Sequence, residues 1–323
     1  MNDNHTQAVL KVPKLNTQTQ QHETVVQERN SISVYQSTGI AGLDEQLGGG
    51  FLRGTMAVLV GSSGIGKTQF GIQYANAGLQ QEGLRGILFD MASRIDPQGH
   101  KEYAQRIYGW NLCEELLDTR VEHESFFDEN RKIGDYFHPL RYQGRRVTKR
   151  DLDFDQWNDW NAELSRNLDS TIAYFFGHFI RGVRRFVVDG IEPVKHQGES
   201  IQFELLEYIY HQIIRKDSDW VARDLFRQNY YLYREEITKH LYRKEDIGCM
   251  VCYTTPETSL DAMIEQPLDE GDLLAGANTI IYMGKIRDGA KFKRGLYIAK
   301  HRSSKCPDEI LFYDINENGI FLN

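Results

Sequence analysis

The glycine-rich octapeptide Gly61-Ser-Ser-Gly-Ile-Gly-Lys67-Thr68 constrains the fold of this chain more than any other feature of the sequence. It follows the apolar run Met56 to Val60 directly, and apolar residues recur at helical spacing after it. The pattern G-x-x-x-x-G-K-[ST] forms a turn between a strand and a helix, in which backbone N–H groups surround a phosphate. The sequence therefore predicts an α/β protein with a phosphate-binding loop.

Each part of this octapeptide suits one part of a metal-bound triphosphate. The glycines leave room for backbone N–H groups to approach phosphate oxygens, and the helix N-terminus adds partial positive charge. Lys67 supplies a cation for the β and γ phosphates, and the Thr68 hydroxyl is a hard oxygen ligand for Mg²⁺. We predict that ATP and Mg²⁺ bind here as cofactors. The predicted nucleotide-binding residues are Gly61, Ser62, Ser63, Gly64, Ile65, Gly66, Lys67 and Thr68.

A second acidic group is needed beside the loop to hold the shell of the metal ion. Asp189 ends the run Arg185-Phe-Val-Val-Asp189, so it lies where a buried strand stops. A lone aspartate after an apolar run is often only a turn former. Its pairing with a phosphate loop favours the metal role instead, and we predict Thr68 and Asp189 as the metal-site residues.

Several further apolar runs have the length of strands. Unbroken apolar strands separated by helical segments are typical of a parallel sheet that is covered on both faces. We predict a mostly parallel sheet flanked by helices, with antiparallel strands at one edge and helical insertions. The predicted parallel strands are 56–60, 86–90, 185–189 and 248–254, and the predicted edge strands are 279–283, 295–300 and 309–313.

Changes in composition along the sequence also suggest its domain organisation. Residues 1–35 are polar and poor in large apolar groups, so we predict a disordered tail. Residues 36–323 are predicted to form one ATPase domain, with insertions at about 111–180 and 217–245. The whole chain has 323 residues, of which 40% are hydrophobic, and this is enough for one large core.

Composition bears on compartment and partners. The four cysteines are scattered, and the beginning of the sequence does not read as a secretory leader, so we expect the reducing cytoplasm. Cys249 and Cys252 lie three apart on a predicted strand, which places them on opposite faces as small core residues. No apolar run approaches the roughly 20 residues that span a bilayer, so we expect no membrane insertion. The net charge of −8 argues against a surface shaped for polyanions.

Beyond the octapeptide, five segments share a pattern with a known family. They are Thr38-Gly-Ile-Ala-Gly-Leu-Asp-Glu-Gln-Leu-Gly-Gly-Gly-Phe-Leu-Arg-Gly54, Asp189, Thr254-Thr-Pro-Glu257, Lys300-His-Arg-Ser-Ser304 and Asp314-Ile-Asn-Glu-Asn-Gly-Ile320. Together with the octapeptide, these segments resemble the KaiC-like branch of the RecA-type ATPases. The resemblance implies a RecA-like sheet and a homo-oligomer, usually a ring of six subunits with ATP between neighbours. In such a ring Lys300 and Arg302 reach the γ-phosphate held by the next subunit, and their spacing puts both on one side of a strand.

The chain departs from this family at the residue that polarises the attacking water. Members of the family carry two adjacent glutamates after the second core strand, where this chain has Asp90 and Met91. Relatives closer to RecA carry the glutamate two residues beyond an aspartate, where this chain has Ala92. We therefore expect slow hydrolysis through Asp90, or through Glu192 or Glu257 as a substitute. The predicted catalytic residues are Lys67, Asp90, Lys300 and Arg302.

Two other functions stay open at the level of sequence. Loss of hydrolysis would leave an ATP-gated scaffold or signalling switch that acts on a protein partner. A DNA recombination or repair accessory protein would use the basic segment 131–150, in which Tyr136, Phe137 and Tyr142 accompany seven cations. The acidic segment 256–276 opposes nucleic acid at the usual position, so this function is disfavoured.

Overall fold

Apolar stretches of the chain form a ten-stranded sheet within the residues that the structure, a computed structural model, describes: 33–92, 98–115, 123, 126–128, 130–140, 152–193, 200–266, 274–302 and 306–323. The predicted disordered tail lies almost entirely outside them. The strands are β1 (Tyr35–Gln36), β2 (Phe51–Leu52), β3 (Met56–Gly61), β4 (Ile87–Asp90), β5 (Glu114–Glu115), β6 (Tyr136–Phe137), β7 (Arg185–Ile191), β8 (Gly248–Thr254), β9 (Thr279–Asp288), β10 (Lys291–His301), β11 (Leu311–Asn316) and β12 (Gly319–Leu322).

The sheet has the order β12-β11-β10-β9-β3-β8-β7-β4-β6-β5, and β1 pairs with β2 in a separate antiparallel ribbon. From β9 to β5 each pair of neighbours is parallel, whereas β10, β11 and β12 extend the sheet in antiparallel fashion. The predicted fold class is confirmed. One detail differs: the strand that starts at Thr279 pairs parallel with β3 as well as antiparallel with β10, so it belongs to both parts.

Helices cover both faces of the sheet. Among the described residues they are α1 (Leu43–Gln46), α2 (Lys67–Gln81), α3 (Gln98–Tyr108), α4 (Phe154–Ile180), α5 (Ile201–Tyr208), α6 (Ser218–Phe226), α7 (Arg234–Lys239) and α8 (Leu260–Glu265). A π-helical segment, Ile209–Ile214, continues α5. None of these described helices is both long and apolar enough to cross a bilayer.

Each face of the sheet has its own hydrophobic core. Cys249 belongs to the core on one face and Cys252 to the core on the other, and both are free and buried, as their spacing on a strand predicts. The long helix α4 begins with a capping box, because Asp153 accepts from the Gln156 backbone N–H while the Gln156 side chain accepts from the Asp153 N–H. This cap defines where the helix starts.

Two local features of the fold escape pattern analysis. Strands β5 and β6 are two residues each, too short to show alternation, yet β6 pairs with β4 in the buried sheet. The helical pattern from Trp220 to Tyr242 is interrupted at Arg227, whose φ of 47° is a left-handed conformation that ends α6. The predicted insertion at 111–180 thus supplies two strands and α4 to the main structure.

Helix α4 is joined to the loop before β6 by a buried histidine. His178 Nε2 lies 2.9 Å from the carbonyl oxygen of Gly134, and a carbonyl can only accept, so the ring donates. Burial lowers the pKa of His178 from 6.5 to about 4, against the opposing effect of this hydrogen bond. The neutral imidazole is therefore the form that the fold stabilises.

We predict that this histidine makes the fold sensitive to acid. Its contribution is complete above pH 6.5, and as the pH falls toward 4 the unfolded chain binds a proton that the folded chain does not. The free energy of unfolding should fall by about 2 kcal/mol more in the wild type than in His178→Gln between about pH 7 and about pH 4.5. Urea unfolding of both proteins at the two pH values measures this difference, and parallel losses would contradict the assignment.

Candidate functional site

The octapeptide forms the turn between β3 and α2. Gly64 and Gly66 have φ values of 75° and 120°, which side chains rarely permit. A Cβ atom at Gly64 would meet nothing within 4 Å, so this part of the loop is open, whereas one at Gly61 would lie 2.5 Å from the Met283 carbonyl oxygen. Gly61 is thus required by the close approach of β9. Gly64 is the open glycine of the loop, whereas a Cβ atom at Gly66 would lie 2.8 Å from Ile315 Cδ1.

The ammonium group of Lys67 is folded back onto this turn. Its Nζ donates to the carbonyl oxygens of Gly61 at 2.8 Å and Ser62 at 2.9 Å. Burial lowers the pKa of Lys67, and the nearby Cys252 and Asp189 oppose that shift. Among the described residues, the acceptors of this buried cation are neutral carbonyls, so it gains strongly from an anion brought within reach.

Asp189 meets Thr68 at the point where β7 passes α2. Thr68 Oγ1 donates to Asp189 Oδ2 at 2.7 Å, and Asp189 Oδ1 accepts from the Gly190 N–H at 2.8 Å. Burial alone would raise the pKa of Asp189, but hydrogen bonds from His100, Thr68 and Gly190 lower it to about 2. The two predicted metal-site residues are therefore adjacent, and the carboxylate is ionised at neutral pH.

Asp90 lies beside this pair but is already engaged by protein donors. Its Oδ1 accepts from the Ala92 N–H at 2.8 Å, and its Oδ2 accepts from the Tyr136 hydroxyl at 2.5 Å. It is only 2% exposed. Burial, together with the negative charge of Asp90, raises the pKa of Tyr136 well above its ordinary value, so the phenol keeps its proton and acts as the donor.

These groups line a cleft of about 740 Å³ at the carboxyl ends of the parallel strands. This is where open α/β sheets bind ligands. The predicted residues that line it are Ser63, Gly64, Gly66, Lys67, Thr68, Asp90 and Asp189. Gly61, Ser62 and Ile65 do not line it, and the Ile65 side chain is buried while its carbonyl oxygen accepts from the Tyr313 hydroxyl at 2.8 Å.

Several further polar residues of the cleft were not predicted as site residues, and four of them bear on its chemistry. His100, Tyr103 and Arg106 lie on one face of α3, at the spacing i, i+3 and i+6, and this spacing was the available signal. Arg294 enters from β10, and its buried Nε has no hydrogen-bond partner among the residues that the structure describes. A buried, unpaired donor beside a phosphate loop suits an anion.

The other predicted catalytic groups lie outside the cleft of a single chain. Lys300 Nζ donates to the Ala275 carbonyl oxygen at 2.7 Å, and Arg302 is exposed just beyond β10. Burial and the positive charge of Arg302 both lower the pKa of Lys300, so the two cations are neighbours. Glu257 accepts from the N–H groups of Thr258 and Ser259, which uses its carboxylate to cap its own loop. Glu192 does not line the cleft either.

The basic segment 131–150, which the disfavoured nucleic-acid function would use, is described only up to residue 140, so most of its cations and Tyr142 lie outside the described residues. Tyr136 and Phe137 are buried in β6, so neither ring is exposed to stack on bases. This burial weighs further against the disfavoured nucleic-acid function. Arg131 is placed over the ring of Phe126.

Comparison with known proteins points to the same family as the motifs. Residues 36–126 match the family of KaiC ATPases, and this segment contains the phosphate loop, Asp90 and His100. Over 98 residues, 30% of this chain, the sequence is 31% identical to the circadian clock protein KaiC2 of Synechocystis sp.. The chain spans only 16% of the length of that relative.

A solved structure of a KaiC-like protein from Pyrococcus horikoshii aligns with 90% of this chain and 98% of its own, at 16% identity and a TM-score of 0.47. The fold assignment rests on the strand order given above. The resemblance to KaiC-like, RecA-type ATPases is confirmed, and the matched sequence segment carries it.

Close packing behind the two aspartates depends on a glycine. Gly190 has a φ of 83°, and a Cβ atom there would lie 2.4 Å from the Ala92 nitrogen and 2.8 Å from Asp90 Oδ1. Gln202 Nε2 ties this junction together by donating to the carbonyl oxygens of Met91 at 2.6 Å and Gly190 at 3.0 Å.

We predict that Gly190→Ala lowers the free energy of unfolding by about 2 to 4 kcal/mol, since it adds a clash to the left-handed conformation. Gly289→Ala is the matched control, because its φ is 60° and nothing lies within 4 Å of the added Cβ. That variant should lose only about 1 to 2 kcal/mol in urea unfolding. Equal losses would show that the junction has room.

Proposed function

We propose that this KaiC-like chain binds Mg²⁺ and ATP in the cleft and hydrolyses the ATP slowly. The observation that carries the proposal is the 2.7 Å contact between Thr68 Oγ1 and Asp189 Oδ2 beside an open glycine turn. The family supports nucleotide binding in general. The choice of ATP, the metal and the hydrolysis are our own inference from the residues of the cleft.

The donor set of the cleft fits a hard divalent cation. A hydroxyl and an ionised carboxylate are the oxygen ligands that Mg²⁺ takes in proteins, and phosphate oxygens and water would complete the shell. When bound, Mg²⁺ would neutralise charge that develops on the phosphates. The role of Thr68 is to offer its oxygen to the ion while its hydrogen continues to point at Asp189.

The remaining groups of the chain would bind and orient the phosphates. Lys67 would exchange its bonds to the Gly61 and Ser62 carbonyls for phosphate oxygens, a change from neutral acceptors to charged ones. The first N–H groups of α2 have no partner within the helix and face the same anion. Arg294 and Arg106 add positive charge to the wall of the cleft.

We expect slow turnover because this chain has other residues at the positions where the family has its catalytic glutamate. Ala92 lines the cleft at one of the candidate positions, and it has no group that could orient water. Asp90, at the other, already accepts two hydrogen bonds, from Ala92 and Tyr136. Loss of a well-placed base for the attacking water typically lowers the rate by 10²- to 10⁴-fold. The alternative is a nucleotide-gated scaffold that binds ATP and does not hydrolyse it.

We predict that Lys67→Ala weakens the binding of Mg²⁺ and ATP at least about tenfold, because it removes a charge-assisted contact to the phosphates. Equilibrium titration with a fluorescent ATP analogue measures the affinity, and phosphate release measures turnover. Lys239→Ala, an exposed lysine paired with Glu236 on α7, is the control and should leave both unchanged. Equal phosphate release by the wild type and Lys67→Ala would eliminate hydrolysis and leave the scaffold. A wild type without affinity for ATP would eliminate both.

We further propose that the chain assembles into a ring in which Lys300 and Arg302 act on the ATP of the neighbouring subunit. Their adjacency and their position outside the cleft of their own chain support a role in trans. The size of the ring, six in the family, is an expectation that rests on the resemblance alone.

Arg302→Ala should then bind ATP with nearly wild-type affinity but release phosphate at least about tenfold more slowly, because the transition state loses a cation supplied across the interface. The mass of the wild type in solution should rise when ATP and Mg²⁺ are added. A monomer whose mass ignores the nucleotide would rule out the trans role of both residues.

A further inference from the structure

His100 makes a contact with Asp189 that neither the motif nor the predicted chemistry requires. Its Nε2 lies 2.9 Å from Asp189 Oδ2, the same oxygen that accepts from Thr68. An ionised carboxylate can only accept a hydrogen bond, so this contact places the proton on Nε2 and makes His100 the donor.

The ring of His100 has close neighbours on two other sides. Its Nδ1 lies 3.6 Å from Asp90 Oδ2, and its centroid is 5.4 Å from that of Tyr136, whose hydroxyl donates to the same Asp90 oxygen. His100 is in the first turn of α3 and is only 9% exposed. A buried ring supported on several sides presents its donor at one position.

We propose that His100 is a positioning residue, which holds the Asp189 carboxylate in the orientation that Mg²⁺ and ATP require, so that the metal-dependent part of the nucleotide affinity depends on a donor at Nε2. The inference rests on the proposed function and adds to it a residue from α3.

The balance of donors around Asp189 explains why the imidazole matters. The carboxylate is 7% exposed and accepts from Thr68 and His100 on one oxygen and from Gly190 on the other. Thr68 and Gly190 belong to the loop and to the strand that any P-loop protein would use. His100 alone ties the carboxylate to α3. Loss of an outer partner of a metal-site group typically costs 10- to 100-fold in metal affinity.

Substitution of His100 by glutamine or by asparagine distinguishes one ring nitrogen from the other. The side-chain nitrogen of glutamine reaches about as far as Nε2 of histidine, whereas that of asparagine corresponds to Nδ1. We expect His100→Gln to retain the donor to Asp189 and His100→Asn to lose it. A role in packing alone would also favour glutamine, which is nearer to the ring in size, but it would change the affinity with and without Mg²⁺ alike and would leave their ratio unchanged.

The experiment measures the affinity for a fluorescent ATP analogue with excess Mg²⁺ and again with EDTA. The ratio of the two affinities should fall at least about tenfold in His100→Asn and His100→Ala, and stay within about threefold of wild type in His100→Gln. Affinity in EDTA should be nearly the same in all of them. Lys101→Ala, the next residue of α3 and paired with the partly exposed Glu114, is the control and should match the wild type.

Urea unfolding of each variant checks that the fold is intact, and His100→Ala serves if His100→Asn does not fold. Asparagine and glutamine variants with equal ratios, or an alanine variant with a wild-type ratio, would overturn the inference and leave the proposed function standing. A wild type that binds the nucleotide equally well with and without Mg²⁺ would overturn both the metal site and the role of His100. A wild type that binds no nucleotide would overturn the proposed function as a whole.

Discussion

A buried pair of carboxylates is the constraint around which this site is built. Asp90 and Asp189 are opposite each other in the register of two adjacent parallel strands, where β4 ends at Asp90 and β7 continues from Asp189 to Ile191. Two like charges so close to a core are costly unless donors surround them. Five donors surround this pair: the side chains of Thr68, His100 and Tyr136 and the backbone N–H groups of Ala92 and Gly190. The positions of α2, α3 and β6 are thus tied to one electrostatic requirement.

Because the strands are parallel, the residues that meet this requirement lie along one cleft. Strands β3, β8, β7 and β4 are neighbours in that order, so their carboxyl ends form one continuous edge. The phosphate loop follows β3 at this edge, and the two aspartates lie at the same edge on β4 and β7. Chain segments that are more than 100 residues apart in sequence, such as Thr68 and Asp189, meet because the strands point the same way.

The parts of this arrangement that the sequence predicts are those encoded by local pattern. The octapeptide identifies its own turn, and Asp189 follows an apolar run that can only be a buried strand. His100 has no such signal, because its role depends on where α3 lies in three dimensions. Tyr136 is missed for another reason. A two-residue strand shows no alternation of polar and apolar residues, and the polar and aromatic residues beside it in the sequence suggest a surface segment. The place of Arg294 in the cleft depends on the register between β10 and β11. No single segment of the sequence encodes that register, so pattern analysis does not find this residue.

The antiparallel edge supports the phosphate loop from far along the chain. The Tyr313 hydroxyl donates to the Ile65 carbonyl oxygen, 248 residues away in sequence, and Gln73 of α2 bonds to both the N–H and the carbonyl oxygen of Ile320. During synthesis on the ribosome, the loop and its helix emerge long before β11 and β12 exist. A nascent chain would therefore hold an unsupported phosphate loop, and the competence to bind nucleotide would arrive late in translation.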